Sequence, residues 1–398
     1  MNARSSPPGT LASGAAWAAP ARARAVPAAP PAVAWKNIGV LRGIAIFLVV
    51  FQHATHWVFS IRRITLDTQP MSALEGLLEV AGRSLNPVAV PAFLFVTGYF
   101  VARFSASRPA AWAAARRTAV RYALWTIPGF AFFALRDHGV DVQQALHAFV
   151  TGGPFMSYWF FPLFVALLLA APAVVRACDR WPGAMLALGI SIQATLVIAF
   201  YVELHTGWSS RFLFNHAPYM RLPFFVYGVL FSRRADAILG ALSRHRRALG
   251  AAVAILAMAT VAEAIALGST ARDGSPASWG EVAFNFDGIF LHLLQATFVA
   301  WLISVPSRGT RFRAAAQEIG LHSMAILLLS DAVLIVCMTG LWQAGYLFGP
   351  LQPGIPPAYM LSAWWLPLIA AAGVLVPLLV QRGAERVVGK RVGNLLFG

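Results

Sequence analysis

An arginine and a histidine, two residue types that are rare in lipid, share one face of the first apolar stretch of the sequence. Arg42 and His53 are eleven positions apart, close to three helical turns, which places them about 16 Å apart along the axis. A guanidinium suits phosphate because its planar fork donates two hydrogen bonds. A neutral imidazole suits proton abstraction near neutral pH. This spacing predicts a site for a long substrate with a phosphorylated head and a reactive far end, which is the shape of an acyl-coenzyme A.

Further candidates lie close to these two residues in the sequence. His56 follows His53 by three positions, so that both imidazoles could line one cavity. A basic cluster, Arg116, Arg117 and Arg121, lies at the start of the third apolar stretch, with Arg117 and Arg121 one turn apart. Each residue also has an ordinary explanation, because arginines snorkel to the interface and anchor loops on the cytoplasmic side. Together with Arg42, the cluster predicts a second set of donors for an anionic head.

Several other ionisable residues fall within or beside apolar stretches. A charge in lipid costs at least a few kcal/mol, so such residues normally face the protein interior or a water-filled cavity. Glu263 and Asp331 could instead form buried structural pairs with arginines. The remaining members of this set are His216, Arg221, Asp287 and His292.

The composition predicts an integral membrane protein of the all-α class. The 398 residues are 59% hydrophobic and 12% charged, whereas a soluble domain carries about 25% charged residues. A net charge of +16 would suit a nucleic-acid partner only if it covered a soluble face. Because the basic residues fall in short loops between apolar runs, we expect no nucleic-acid partner. The two cysteines support neither a disulfide framework nor a metal site.

Ten apolar stretches are long enough, or nearly so, to cross a bilayer as helices, which takes about 20 residues each. We therefore predict a polytopic helical bundle formed by residues 35–398. The Ala/Pro-rich residues 1–34 cannot bury enough apolar surface to fold and are predicted to be a disordered tail. Most Lys and Arg residues fall on one side of this arrangement, which places both termini in the cytoplasm. The predicted spans are 38–59, 85–102, 119–136, 157–175, 184–203, 216–231, 249–268, 289–306, 320–342 and 359–381.

Four segments resemble the acyltransferase-3 family of integral membrane acyltransferases. "VLRGIAIFLVVFQHATHW" resembles its first helix, in which ten residues separate an arginine and a histidine. "VPAFLFVTGYFVARF" resembles its second helix, with Thr97, Gly98 and Tyr99 in place of a Ser-Gly-Tyr triplet. "SYWFFPLFVALLLAAP" resembles its aromatic-rich fourth span. "EIGLHSMAILLLSDAVL" resembles its late helix, with Asp331 where the family often has a histidine.

The resemblance implies transfer of an acyl group, most often acetyl, from cytoplasmic acyl-CoA to a hydroxyl of an envelope glycan or lipid-linked sugar. It implies a multi-pass protein of the bacterial inner membrane without a fused soluble domain, a permanently bound cofactor or a metal. His53 would be the general base or a transient acyl carrier. The resemblance leaves the oligomeric state open. Arg42 would hold the coenzyme A phosphates, and the expected substrate-binding residues are Arg116, Arg117, Arg121, His56, Tyr99 and Trp159.

Two other classes fit parts of the same pattern. A transporter or exporter of an envelope lipid or sugar would also have ten spans and buried charges, but it predicts repeated halves with broken helices. A non-catalytic membrane scaffold leaves the face shared by Arg42 and His53 unexplained.

Overall fold

The computed structural model describes residues 32–65, 72–136, 142–152, 156–206, 221–271, 287–305, 310–347 and 365–397. These ranges contain fourteen α-helices, two short 3₁₀ turns and no strand, which confirms the all-α class. The helices are α1 Ala32–Thr65, α2 Ala73–Leu85, α3 Ala89–Phe104, α4 Arg108–Arg136, α5 Val142–Thr151, α6 Phe160–Arg180, α7 Pro182–Thr206, α8 Pro223–Arg233, α9 Ala235–Arg244, α10 Arg246–Ala271, α11 Ile289–Ser304, α12 Arg311–Leu321, α13 Ser323–Leu347 and α14 Leu366–Phe397. The 3₁₀ turns are Asn86–Val88 and Met156–Trp159.

Seven segments of the described chain are long and apolar enough to cross a membrane, and each overlaps a predicted span. They lie in α1, α2 with α3, α6, α7, α10, α13 and α14. The other three predicted spans do not reach this standard. Helix α11 is apolar but has 16 residues, α8 has 11, and α4 carries the Arg116, Arg117 and Arg121 cluster and an internal Pro128.

The structure also forms helices outside the predicted spans. Two basic segments between the spans each contain a helix, α9 or α12, because their apolar residues recur at helical spacing. Arg83, which precedes the predicted span 85–102, lies in α2, where it is buried and pairs with Glu79 at 2.8 Å. Residues 1–31 of the predicted tail, together with His216, lie outside the described residues.

Glycines allow two pairs of helices to approach at backbone distance. A Cβ at Gly98 of α3 would lie 2.0 Å from the Phe225 carbonyl oxygen of α8, and one at Gly228 would lie 2.0 Å from that of Phe95. A Cβ at Gly43 of α1 would lie 1.7 Å from the Ala316 carbonyl oxygen of α12. Small residues at membrane helix crossings permit this close packing. Gly43 adjoins Arg42, so the α1–α12 crossing fixes the backbone that carries this arginine.

Replacing Gly98 by alanine should therefore destabilise the protein. The added methyl group must push α8 away from α3, and overpacking of this kind typically costs about 1–3 kcal/mol. Thermal unfolding of the purified protein in detergent measures the effect. Gly340 of α13 is the matched control, because a Cβ there meets nothing within 4 Å. Equal unfolding temperatures for Gly98→Ala and Gly340→Ala would contradict the proposed role of the close crossing.

Helix α12 is also tied to α14 by an ionic network on the side of the bundle where α1 begins. Arg382 donates to Glu318 at 2.6 Å, and His322 lies 3.2 Å from the same carboxylate oxygen. The other imidazole nitrogen of His322 lies 2.9 Å from the side-chain oxygen of Gln381. The hydrogen bond from Arg382, followed by the nearby His322, holds the pKa of Glu318 below its usual value. Helices α1, α12, α13 and α14 therefore form one connected framework around the first span.

Candidate active site

His53 forms a buried hydrogen bond with Asp331, which lies 278 positions away in the sequence. Its Nδ1 is 2.7 Å from Oδ1 of Asp331, and the two residues are 6% and 1% exposed, respectively. An ionised carboxylate only accepts hydrogen bonds, so Nδ1 carries the proton and donates it. In the neutral form of this imidazole, Nε2 then carries the lone pair that can act as a base. A base oriented by a third group is the arrangement that acid–base catalysis uses.

Apolar layers enclose this pair on both sides along α1 and α13. Toward the start of α1, Ile46 and Val50 belong to the same buried cluster as Ile326. Toward the end of α1, Ala54 and Val58 pack in a second cluster with α13 and α14. The Tyr158 hydroxyl donates to the Leu328 carbonyl oxygen at 2.9 Å and holds α13 in this position. Exclusion of water by these layers strengthens the hydrogen bond and every other electrostatic interaction near it.

Arg42 lines a narrow cavity of about 230 Å³ that runs along α3, α6 and α13. The guanidinium carbon lies 5.9 Å from the centroid of the Phe100 ring. The hydroxyl of Ser323, which also lines the cavity, is buried and has no hydrogen-bond partner among the described residues. At its other end the cavity reaches Leu327, one helical turn or about 6 Å before Asp331. The cavity thus offers polar donors at one end and approaches the His53–Asp331 pair at the other.

Arg42 keeps its charge available for a ligand. Within the described residues no carboxylate pairs with it, and its side chain is half-buried. A cation in a membrane-spanning helix without an anionic partner is costly unless water, a ligand or a substrate compensates its charge. The cavity walls are rich in phenylalanine and include Phe93, Phe160 and Phe164. These rings were not singled out from the sequence, although the aromatic-rich "SYWFFPLF" run contains two of them.

His56 lies near the His53–Asp331 pair, on the same helix as His53. It is half-buried, its ring meets Trp57 edge-on at 6.1 Å, and it lies within electrostatic range of Arg83, His53 and Asp331. Its position three residues further along α1 places it about 4.5 Å from His53 along the axis. Of the residues predicted for the site, His56 therefore supplies a second imidazole close to the His53–Asp331 pair.

The structure does not bring the basic cluster of α4 into the cavity that Arg42 lines. Arg116 and Arg117 are exposed, and Nε of Arg121 donates to the Leu395 carbonyl oxygen at 3.3 Å. That carbonyl belongs to the end of α14, which turns at Gly389, where φ is 82°. These arginines remain predicted contacts for the outer part of a donor, at a distance from the cavity.

Tyr99 and Trp159 take different positions relative to the cavity. Tyr99 is fully buried on the opposite side of α3, where its ring meets Phe231 at 5.9 Å and Arg103 at 5.7 Å. Tyr99 does not line the cavity. Trp159 packs edge-on against Phe160 at 5.8 Å, and Phe160 is a wall residue. Neither of these predicted substrate contacts lines the cavity, and each packs against one of its wall residues, Tyr99 against Phe100 at 5.6 Å and Trp159 against Phe160.

The other buried charges form structural networks with partners that differ from those expected. Asp331 pairs with His53, and Glu263 accepts a hydrogen bond from Tyr201. Arg221 forms an ion pair with Asp287 and donates to the Gln295 side-chain oxygen at 3.1 Å. The Gln295 amide group donates in turn to the Pro87 carbonyl oxygen at 3.4 Å. This network joins α8 and α11 to the turn before α3.

Residues 35–382 match a family model of the acyltransferase-3 type, described as an acyltransferase domain. The match includes Arg42, His53, Asp331 and every helix that lines the cavity. No curated protein and no solved structure matches the chain. Together with the apolar helices, the match shows a membrane acyltransferase. The chain therefore belongs to the acyltransferase-3 family.

Proposed function

We propose that the protein transfers an acyl group, most simply acetyl, from acyl-CoA to a hydroxyl of a cell-envelope glycan or glycolipid. The observation that carries this proposal is the cavity that Arg42 lines and that extends to Leu327, one helical turn before the buried His53–Asp331 pair. Arg42 offers a cation for phosphate inside the cavity, and the pair beyond its end offers an oriented base. Acyl-CoA is the donor that has matching groups at both ends.

The donor would enter from the side of the bundle where α1 begins, which the positive-inside pattern predicts to be cytoplasmic. Arg42 would donate to a phosphate oxygen, and charge-assisted bonds of this kind are about twice as strong as neutral ones. The free hydroxyl of Ser323 would bind a polar group of the thin arm that follows the phosphate. The Phe93, Phe160 and Phe164 rings would surround this arm. The arginines of α4 would meet the outer phosphate groups of the donor.

In the transfer step His53 would act as the general base. Nε2 takes the proton of the acceptor hydroxyl while the hydroxyl oxygen forms a bond to the thioester carbonyl carbon. The carbon–sulfur bond then breaks, and the departing thiolate receives the proton from His53. Asp331 stabilises the imidazolium that exists between these two proton transfers, as the carboxylate of a catalytic triad does.

A transient acyl group on Nε2 is the second route that this pair supports. On this route, the enzyme would release coenzyme A in a burst of about one equivalent per site before any acceptor is added. General-base transfer gives no such burst, because the thioester stays intact until a hydroxyl arrives. Rapid mixing with acyl-CoA alone therefore separates the two routes.

The acceptor would approach from the other side of the bacterial inner membrane, with both termini of the chain in the cytoplasm. His53 lies in the second half of the membrane segment of α1, and His56 lies one turn further from Arg42 on the same helix. Aromatic rings such as Trp159 stack on sugars. This arrangement fits an acceptor glycan that lies outside the cell membrane, with one hydroxyl reaching inward.

Labelled acetyl-CoA and the purified protein provide the direct test. An acyltransferase releases coenzyme A and transfers the label to envelope glycan, whereas a transporter leaves the thioester intact. Mass spectrometry of glycans from a deletion strain would identify the acceptor through the loss of its acyl groups. The proposal would be refuted if the thioester of acetyl-CoA, and of longer acyl-CoA donors, stayed intact in the presence of every envelope fraction.

Replacing Arg42 by alanine should weaken donor binding about ten- to hundredfold, because a hydrogen bond to a charged group contributes about 1.5–3 kcal/mol. Equilibrium binding of a non-hydrolysable acyl-CoA analogue measures the change. Arg246→Ala is the matched control. It removes the same charge, and Arg246 is exposed at the start of α10. Arg83 is unsuitable as a control, because it is buried and paired with Glu79. Equal losses for Arg42→Ala and Arg246→Ala would remove Arg42 from the donor site.

A further inference from the structure

A second cavity of about 550 Å³ lies on the opposite side of α3 from the candidate active site. Its walls come from α6, α7, α8, α9 and α11 and are almost entirely apolar. Its volume falls within the range of about 300–1,000 Å³ that is typical of ligand sites. The apolar wall residues include Phe95, Leu186, Phe224, Leu230, Ile238 and Val299.

The mouth of this cavity is positively charged. Arg233 and Arg234 line it together with a single carboxylate, Asp179. Arg233 pairs with Asp179 through two contacts, at 2.9 and 3.1 Å. The guanidinium of Arg234 has no partner among the described residues and is exposed. One unpaired cation therefore stands at the entrance of an otherwise apolar cavity.

The mouth lies at the same face of the bundle as Arg42. The Asn37 side chain of α1 donates to the Ile303 carbonyl oxygen at 2.7 Å, and Ile303 lines the cavity. Helix α9, which begins directly after Arg234, is amphipathic: Ile238 and Leu242 line the cavity, whereas Asp236 and Arg244 are exposed. Helices of this kind lie at the level of the lipid headgroups. On the predicted orientation, the cavity mouth is at the headgroup level of the cytoplasmic leaflet.

We propose that this cavity binds an anionic phospholipid, with the headgroup phosphate on Arg234 and one acyl chain against the apolar walls. The cytoplasmic leaflet is rich in anionic lipids, and basic pockets between transmembrane helices on this side bind their headgroups. Arg233 forms an ion pair with Asp179 at the mouth of the cavity, whereas the guanidinium of Arg234 is available to bind the phosphate. Phe95 separates this site from the donor cavity, because Phe93 and Thr97 of the same helix face the other way. The lipid site therefore does not depend on the proposed acyl-transfer chemistry.

Native mass spectrometry of the full chain in detergent, titrated with phosphatidylglycerol or with phosphatidylcholine of the same acyl chains, tests this proposal. We expect stronger binding of phosphatidylglycerol. Arg234→Glu should weaken that binding about tenfold or more, because each charge near the headgroup level contributes about fivefold and this change reverses one. Arg244→Glu alters the net charge equally, but Arg244 lies at the end of α9 and does not line the cavity, so this change should leave binding almost unchanged.

A second variant tests the apolar part of the site. Gly183 lines the cavity, and a Cβ there meets nothing within 4 Å, so Gly183→Phe can fill the space without displacing the backbone. It should abolish retention of phosphatidylglycerol without lowering the unfolding temperature. Glycerophosphoglycerol, which has the headgroup without the chains, should not compete. Equal binding of the two lipids, equal effects of Arg234→Glu and Arg244→Glu, competition by the headgroup alone, or full retention in Gly183→Phe would each overturn the proposal.

Discussion

Replacing His53 by alanine should lower the rate of acyl transfer by about 10²–10⁴-fold, which is the usual contribution of a positioned general base. The imidazole is the group that takes the acceptor proton, and Asp331 holds it in the tautomer that exposes Nε2. Donor binding should change little, because Arg42 lies about 16 Å away along α1. Transfer rate, acyl-CoA affinity and unfolding temperature should be measured on the same preparations.

Removing the imidazole also leaves Asp331 buried without its hydrogen-bond donor from His53. His53→Gln addresses this point, since its side-chain amide can still donate to the carboxylate but cannot act as a base at neutral pH. We expect this variant to fold like the parent protein and to lose transfer as severely as His53→Ala. Parental activity in a folded His53→Gln protein would rule out His53 as the base.

His56→Ala is the internal comparison for this experiment. His56 is half-buried and lies three positions after His53 on the same helix. Its removal should cost less than that of His53, through positioning of the acceptor. Normal transfer in the His53 variants together with inactivity of His56→Ala would show that His56 is the base instead.

Replacing Asp331 by asparagine should also lower transfer by about 10²–10⁴-fold, with most of the loss in kcat. The amide has nearly the same shape as the carboxylate, but it cannot stabilise an imidazolium, and its NH₂ group favours the wrong tautomer of His53. The KM for acyl-CoA should stay within about twofold, because Asp331 lies beyond the end of the donor cavity.

Rescue distinguishes this positioning role from a purely structural one. Asp331→Glu restores a carboxylate near Nδ1 and should recover a substantial part of the rate, whereas Asp331→Ala should not. Ser330→Ala is the neighbouring control, since the Ser330 hydroxyl is buried on the same helix without a hydrogen-bond partner among the described residues. If Asp331→Asn keeps parental kcat, or if only KM rises, Asp331 does not orient the base.

The helical period explains why Arg42 and His53 were predictable from the sequence. Residues eleven apart on a helix share a face regardless of what surrounds them, and two polar residues in an apolar stretch point to a protected interior. The apolar stretches of α1, α6 and α13 were also predictable, because each is longer than the apolar stretch of an ordinary core helix. Helices α9 and α12 were predicted as loops, since charged residues lower the average hydropathy of an amphipathic segment.

Contacts between distant segments could not be read from the chain. Arg117 and Arg121 have the right type and spacing for a phosphate site, yet α4 packs so that they lie away from the cavity of Arg42. Tyr99 follows Thr97 by two positions, but helical geometry turns it to the opposite side of α3, against Arg103 and Phe231. Residue type and local spacing fix the direction of a side chain on its own helix and leave its neighbours undetermined.

By itself, the sequence determined the all-α membrane class and the shared face of Arg42 and His53, because hydropathy and helical period are local properties. The tertiary structure alone decided that Asp331 of α13 is the partner of His53 across 278 positions. It also decided that Arg42 opens into an aromatic cavity and that Arg83 is buried in α2 rather than exposed in a loop. These outcomes depend on how closely helices approach at Gly43 and Gly98, and backbone packing of that kind arises only when distant segments meet.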